Sequence, residues 1–261
     1  MRKMAKEPNS IQVIERLARL LDVIAAQNEA TSLKILSAET GLHPSTAFRI
    51  LASLAEQGFV ERTSRGNYQL GIKLMQLGNR VSAGVDVRKI ALPLMGKLRD
   101  ELDETVNLTV READEVVYIE RTLARRMIRV EQVIGSRAPL HVTAVGKLML
   151  GEQGEEACRS YAERCKLPPY TINTHTTIAA LLQDCIASAK CGYAYDNEEA
   201  ELGVGCIGTL IRDASGHVIA GLSVSVPIER RRDEWTAQVI ETGAQISRQL
   251  GYHAAPASIN H

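Results

Sequence analysis

Between Pro44 and Leu54 the chain places Ser45, Thr46, Phe48 and Arg49 on or near one side of a helical repeat whose other side is Ala47, Ile50, Leu51 and Leu54. Small hydroxyls and a guanidinium early in a helix suit bonds to base edges and phosphates, while the apolar side suits a core. Ser64 and Arg65 form a second polar group in the tip Thr63-Ser64-Arg65-Gly66, where a hydroxyl and a cation could meet a nucleic-acid backbone or minor groove. A third set, Cys206 with His141 and Asp196, has the residue types of a nucleophile, its base and an orienting acid, and would make the chain an enzyme. No nucleophile elbow and no glycine-rich phosphate loop accompanies it, so catalysis is not expected. The five cysteines (Cys158, Cys165, Cys185, Cys191, Cys206) contain no C-x-x-C unit, and their odd number points to free thiols. A zinc site built from Cys158 and Cys165, or from Cys185 and Cys191, rests on spacing alone. No metal and no cofactor is expected.

The first two groups need particular elements to hold them. Thr31 and Ser32 can cap a short helix, Gly41 can take the turn that follows, and Pro44 fits the first turn of the next helix because its missing N–H costs nothing there. Gly58–Arg62 and Asn67–Leu70 alternate like the two strands of a hairpin. This order is that of a winged helix-turn-helix over residues 31–70, with double-stranded DNA as the leading partner. A helix-turn-helix used only for protein contacts is the alternative. Residues 10–27 predict a helix packed behind it, and residues 1–9 a disordered basic arm. After the wing, Leu74, Leu77, Val81 and Val85 make the stripe of an amphipathic linker helix over 71–86, which could pair with a copy of itself in a dimer.

Charge and composition agree with this division. The chain is formally neutral, but residues 1–86 hold 11 Lys and Arg against 8 Asp and Glu, and the remainder 20 against 23. Positive charge therefore leans toward the part that would face phosphates. There is no transmembrane-length apolar run and no signal-peptide core, so no membrane partner and a cytoplasmic location are expected. From residue 87 on, the pattern is α+β. A helix at 88–103 precedes strand-like runs at 106–110, 116–120 and 127–133, a loop at 135–141 and a helix from Thr143. Helices at 152–166 and 176–190 follow, then strands at 191–196, 206–212 and 217–226, and a long helix at 229–250.

Three stretches resemble the IclR family of bacterial transcriptional regulators: GLHPSTAFRILASLAEQGFVER with the wing ending in YQLG, GSRAPLHVTAVGKLML at 135–150, and GYAYDNEEAELGVGCIG leading to GLSVSVP at 192–227. The resemblance runs from about residue 10 to about residue 250. It implies a winged helix-turn-helix at 1–70 joined by a linker helix to a GAF-like effector-binding domain at 87–261. It further implies a homodimer or dimer of dimers, repression or activation of operons, and a small organic or aromatic acid as effector. Carried over by position, the effector site would be Ala144, Val145, Asp196, Val204, Cys206, Ser223 and Ser225. The chemistry is compatible: helix-start amides near Ala144 favour an anion, and Ser223 and Ser225 share one strand face. Val145 and Val204 imply a bulkier or more apolar ligand than the smallest acids. Each position also has a plainer use: Asp196 with Glu198, Glu199 and Glu201 as a solvated acidic loop, Cys206 as a small core residue, the serines as satisfied hydroxyls.

Overall fold

The computed structural model describes residues 11–27, 29–82 and 86–253, and the expected arm at 1–9 lies outside them. The chain divides into two compact units, one up to Val85 and one from Asp86. The first contains α1 (Gln12–Ala25), α2 (Leu33–Thr40), α3 (Pro44–Glu56), strands β1 (Val60–Arg62) and β2 (Tyr68–Leu70), and α4 (Ile72–Ser82). Its core gathers Leu20 and Ile24 of α1, Leu36 of α2, Ala47, Leu51 and Leu54 of α3, and Val60 and Tyr68 of the wing. The polar face of α3 is left outside because those apolar positions recur at helical spacing.

The second unit contains α5 (Val87–Leu102), β3 (Thr105–Glu112), β4 (Glu115–Thr122), β5 (Arg137–Pro139), α6 (Ala144–Glu152), α7 (Glu155–Cys165), α8 (Ile178–Cys191), β6 (Tyr193–Asn197), β7 (Val204–Arg212), β8 (Val218–Pro227) and α9 (Thr236–Gln249). Its six strands form one antiparallel sheet in the order β5-β4-β3-β8-β7-β6. Alternation along β8 divides the unit into layers. Ala220, Leu222, Val224 and Val226 join Met95 and Leu98 of α5 and Val239 and Ile246 of α9 in one core, and Gly221, Ser223 and Ser225 fall on the opposite face. A second core, on α6, α7 and α8, covers that opposite face.

The structure corrects three of the expected elements. The run at 127–133 is not a strand: Met127 and Ile128 are exposed, and the edge of β4 is taken instead by β5, inside the segment expected to be a loop. Two arginines from outside the run meet two of its carbonyls: Arg230 donates to the Ile128 carbonyl at 3.0 Å and Arg121 to the Gln132 carbonyl. The expected helix at 229–250 begins only at Thr236. Before it, two single 3-10 turns flank Arg231, which sits at φ −57 and ψ 138, stacks on Tyr195 at 4.6 Å and donates to Asn197 Oδ1 at 2.7 Å. The first wing strand begins at Val60 rather than Gly58, which has a left-handed φ of 76.

Candidate nucleic-acid interface and ligand cavity

In the first unit, Ser32 caps α2 by accepting from the Ile35 amide at 3.4 Å, and Gly41 ends it at φ 67. Thr31, the other expected cap, instead forms a bridge with Tyr68 of the wing. His43 caps α3, its Nδ1 lying 2.8 Å from Ser45 Oγ and accepting from the Ser45 amide at 3.4 Å. Ser45, Phe48 and Arg49 are exposed and Thr46 is half-buried, so all four border the solvent face of this helix. Phe48, a large apolar ring, is 45% exposed. At the wing tip the Gly66 amide donates to the Thr63 carbonyl at 2.9 Å and Gly66 takes φ 83. A four-residue turn closed by a left-handed glycine leaves Ser64 and Arg65 at its apex, both exposed.

In the second unit a cavity of about 450 Å³ opens between the start of α6, the polar face of the sheet and the loops at 129–138 and 196–204. Ala144, Val145, Asp196, Val204, Cys206 and Ser223 line it. Ser225 does not. It lies beyond Cys206, with Oγ 3.2 Å from the Cys206 sulfur and accepting from Asn107 Nδ2 at 3.0 Å. The remaining wall was not picked from the sequence: Thr109 and Tyr118 from the sheet, Thr143 at the helix start, and Arg129, Glu131 and Gln132 from the loop expected to be a strand. Thr109 was foreshadowed by the alternation of β3, where Val106 and Leu108 are apolar and Asn107 and Thr109 polar. The loop residues had no such signal.

Two glycines bring α6 onto the sheet. A Cβ on Gly221 would lie 1.9 Å from Val145 Cγ1, and one on Gly208 would lie 3.0 Å from Val145 Cγ2. Thr143 caps the helix, its hydroxyl accepting from the Gly146 amide at 3.1 Å and its carbonyl from the Lys147 amide at 3.0 Å. Ala144 and Val145, the first two residues of the helix, line the cavity, and a helix start favours an anion.

The acidic loop is divided: Asp196 and Glu199 are buried, Glu198 is half-buried and Glu201 is exposed. Asp196 and Glu199 are each 2% exposed. Asp196 accepts from the Glu199 amide at 2.8 Å, while Glu199 grips the fully buried Lys147 ammonium at 2.6 and 2.7 Å. Lys147 also donates to Asp184 at 2.6 Å, which His175 Nε2 approaches at 3.0 Å. Burial opposes the charge on Lys147, but Glu199 and Asp184 hold its pKa above the ordinary value. Burial likewise opposes ionisation of Asp184, yet the His175 bond and the Lys147 ammonium hold it well below the usual carboxylate range. His175, Asp184 and Glu199 have donor atoms within 4.8 Å of one another, a spacing that could suit a metal. The ammonium already holds both carboxylates, so a dication would have to displace it.

Burial, with the Glu199 carboxylate adding to it, pushes Asp196 up to about 7, partly offset by the backbone amides of Glu199 and Ala200. Burial also pushes the Cys206 thiol and the Tyr118 phenol well up, so both stay protonated at neutral pH. Folded Asp196 thus holds its proton more tightly than the unfolded chain, whose value is 3.8. This contribution is fully present below about pH 4 and is lost as pH rises through about 7. The stability of Asp196→Asn relative to the parent is expected to rise over that window, with a slope approaching about 1.4 kcal/mol per pH unit at its middle. Urea unfolding at several pH values reads this directly, and a pH-independent difference would refute a protonated Asp196.

The proposed nucleophile and base do not meet. Both His141 ring nitrogens are engaged, Nδ1 with the Tyr161 hydroxyl at 2.9 Å and Nε2 with the Pro168 carbonyl at 3.2 Å. Cys206 is bonded instead to Ser225, and Asp196 supports a loop.

Comparison with known proteins bears on both sites. A family model for the IclR helix-turn-helix domain matches residues 13–64, and one described as bacterial transcriptional regulator IclR C-terminal matches residues 80–251. The transcriptional regulator KdgR of Escherichia coli is 32% identical over 256 residues, covering 96% of this chain and 97% of its own length. Among solved structures, the Agobacterium tumefaciens repressor BlcR aligns with a TM-score of 0.75 at 27% identity, covering 95% of this chain and 100% of that one. A Microbacterium hydrocarbonoxydans IclR homologue solved with 4-hydroxybenzoate aligns at 26% identity and a TM-score of 0.60, covering 91% and 98%.

Proposed function

Because the chain belongs to the IclR family of DNA-binding transcription regulators, we propose that it reads operator DNA with α3 and the wing and that a small organic or aromatic acid in its C-terminal cavity modulates that binding. The observation that carries the effector half is the cavity wall itself, where the start of α6 and a carboxyl raised to about 7 line the same space. The helix start favours an anionic group over water, and a carboxyl that is largely uncharged below about pH 7 repels one less than an ordinary carboxylate would. The homologue with 4-hydroxybenzoate supports an acid as the ligand class, and the repressor BlcR supports repression as the output.

Operator duplex would be read by Ser45, Thr46, Phe48 and Arg49 in the major groove, with Ser64 and Arg65 on the backbone or in the minor groove. Two copies reading half-sites about 34 Å apart would give the dimer its symmetry. A homodimer or dimer of dimers is supported by α4, whose Ile72, Met75 and Leu77 are uncovered apolar side chains in the isolated chain. Of the expected stripe, Leu77 is exposed and Leu74 half-buried, while Val81 and Val85 lie outside the described side chains. Effector binding changes operator affinity only to the extent that it prefers one of two states, and DNA must change effector affinity by the same factor.

Arg49→Ala and Arg65→Ala are each expected to weaken binding to a duplex selected from genomic fragments by about 10-fold or more, with folding intact. If either contact is to a phosphate, the log–log salt slope should fall by about 0.9 for each. Fluorescence anisotropy over a salt series measures both quantities. Unchanged affinity and slope in the double variant would overturn the assignment and favour a helix-turn-helix used for protein contacts.

A further inference from the structure

The solvent side of α3 divides into two stripes. Thr46, Arg49 and Ser53 share a groove wall with Val13 and Arg16 of α1, so that stripe turns toward α1. Ser45, Phe48 and Ala52 follow at helical spacing on the other side. Ser45 is short, and its hydroxyl lies 2.8 Å from His43 Nδ1 in the helix cap. Ala52 carries only a methyl. Phe48 alone of these three reaches far from the helix axis, and it is 45% exposed. The chain has two phenylalanines: Phe59 packs against the core of this unit, and Phe48 is not among the side chains that do. Arg49, exposed beside it, supplies the charge that suits a phosphate backbone, so the ring lies within the face assigned above to DNA. An apolar ring gains from burial only against an apolar group. The major-groove edges of unmodified DNA offer one, the thymine C5-methyl, among acceptors and amino donors. Against those polar groups the ring would displace water and return no hydrogen bond, at a cost in affinity.

We propose that Phe48 reads a thymine, its ring packed on the C5-methyl of one thymine in each operator half-site. This rests on the operator reading above and narrows it to the base that this side chain selects. The methyl takes no part in base pairing, so the contact leaves the duplex intact and discrimination falls on the methyl alone. A ring carried by the first turns of a helix meets the groove at one depth, which specifies one position per half-site. The size of the effect follows from the group: burying one methyl is worth about 4-fold in binding, and two half-sites together about 16-fold.

The test uses a duplex selected from genomic fragments by the full chain and remade with deoxyuridine for thymine, one position at a time. Deoxyuridine pairs as thymine does and lacks only the methyl. Fluorescence anisotropy at fixed salt should show one position per half-site at which this change costs about 4-fold, with the others near neutral. Phe48→Ala should bind the thymine duplex about 10-fold more weakly and be indifferent to deoxyuridine at that position. Phe48→Gln, which offers an amide in place of the ring, should lose the penalty as well, and it keeps the test open should Phe48→Ala fail to fold. Arg49→Ala should weaken the thymine and deoxyuridine duplexes equally and so retain the penalty. Salt-dependent binding in which no single deoxyuridine matters overturns the thymine contact and leaves the operator reading standing. A penalty that persists in both Phe48 variants, or that vanishes in Arg49→Ala instead, also overturns it. Failure to select any duplex overturns it together with the operator reading.

Discussion

Lys147→Met is expected to destabilise the C-terminal unit by about 3–5 kcal/mol, the cost of leaving buried charge without its partner. The ammonium has no solvent exposure and is held by Glu199 and Asp184 at 2.6–2.7 Å. A methionine of similar length fills the space but supplies no donors, so the buried Glu199 carboxylate loses its cation and faces Asp184, which is partly exposed and keeps His175 and Ser188. Desolvation makes that arrangement far worse than the same pair on a surface. Urea unfolding followed by Trp235, the single tryptophan of the chain and part of this unit, reports the loss. Adding Glu199→Gln to Lys147→Met should recover part of it, because one of the stranded charges is then gone. A loss below about 1 kcal/mol in Lys147→Met would mean that the cluster is effectively solvated. Glu199 donates its own amide to Asp196, so the same variant should also disturb the cavity wall.

Gly221→Ala is expected to cost about 1–3 kcal/mol through overpacking, and to abolish ligand binding in the cavity. The added methyl would meet Val145 at 1.9 Å and 2.9 Å from its two γ-carbons. Neither partner can turn away easily. Gly221 lies within β8, paired with Thr109 on one side and Leu210 on the other, and Val145 is in the first turn of α6. The start of the helix would have to lift from the sheet, carrying the Ala144 and Val145 amides out of place. Val145→Ala in the same chain removes both clashing carbons, so the double variant should be more stable than Gly221→Ala alone. Thermal unfolding of the four proteins of this cycle measures the coupling. If Val145→Ala gave no rescue, the close approach of α6 to β8 would not be the cause.

Much of the first unit was legible residue by residue. Gly41, Pro44, the spacing of Ala47, Leu51 and Leu54, and Gly66 each act through local backbone geometry, which a sequence states directly. The exposed positions Ser45, Phe48, Arg49, Ser64 and Arg65 follow as the complement of that core. The second unit was legible as an α+β chain and at particular strands, because alternation such as that of Leu222, Val224 and Val226 against Ser223 and Ser225 has a period of two. It failed at residues 127–133, where β-branched residues suggest a strand. There two backbone carbonyls are met by Arg121 and Arg230, both of which lie outside the segment.

By itself, the sequence determined the exposed face of α3, the tip of the wing and the alternation that gives the sheet a polar and an apolar side. Those depend on neighbours a few residues apart. Only the tertiary structure decided that Asp196 and Glu199 are buried rather than solvated, since their surroundings include Lys147, about fifty residues away in the chain. The same holds for Asn107, whose partners Gln132 and Ser225 come from a loop and from a distant strand. Charge and hydrogen-bonding capacity are properties of a residue type. Whether they are met or left open is a property of the fold, because desolvation and pairing are set by groups that only folding brings together.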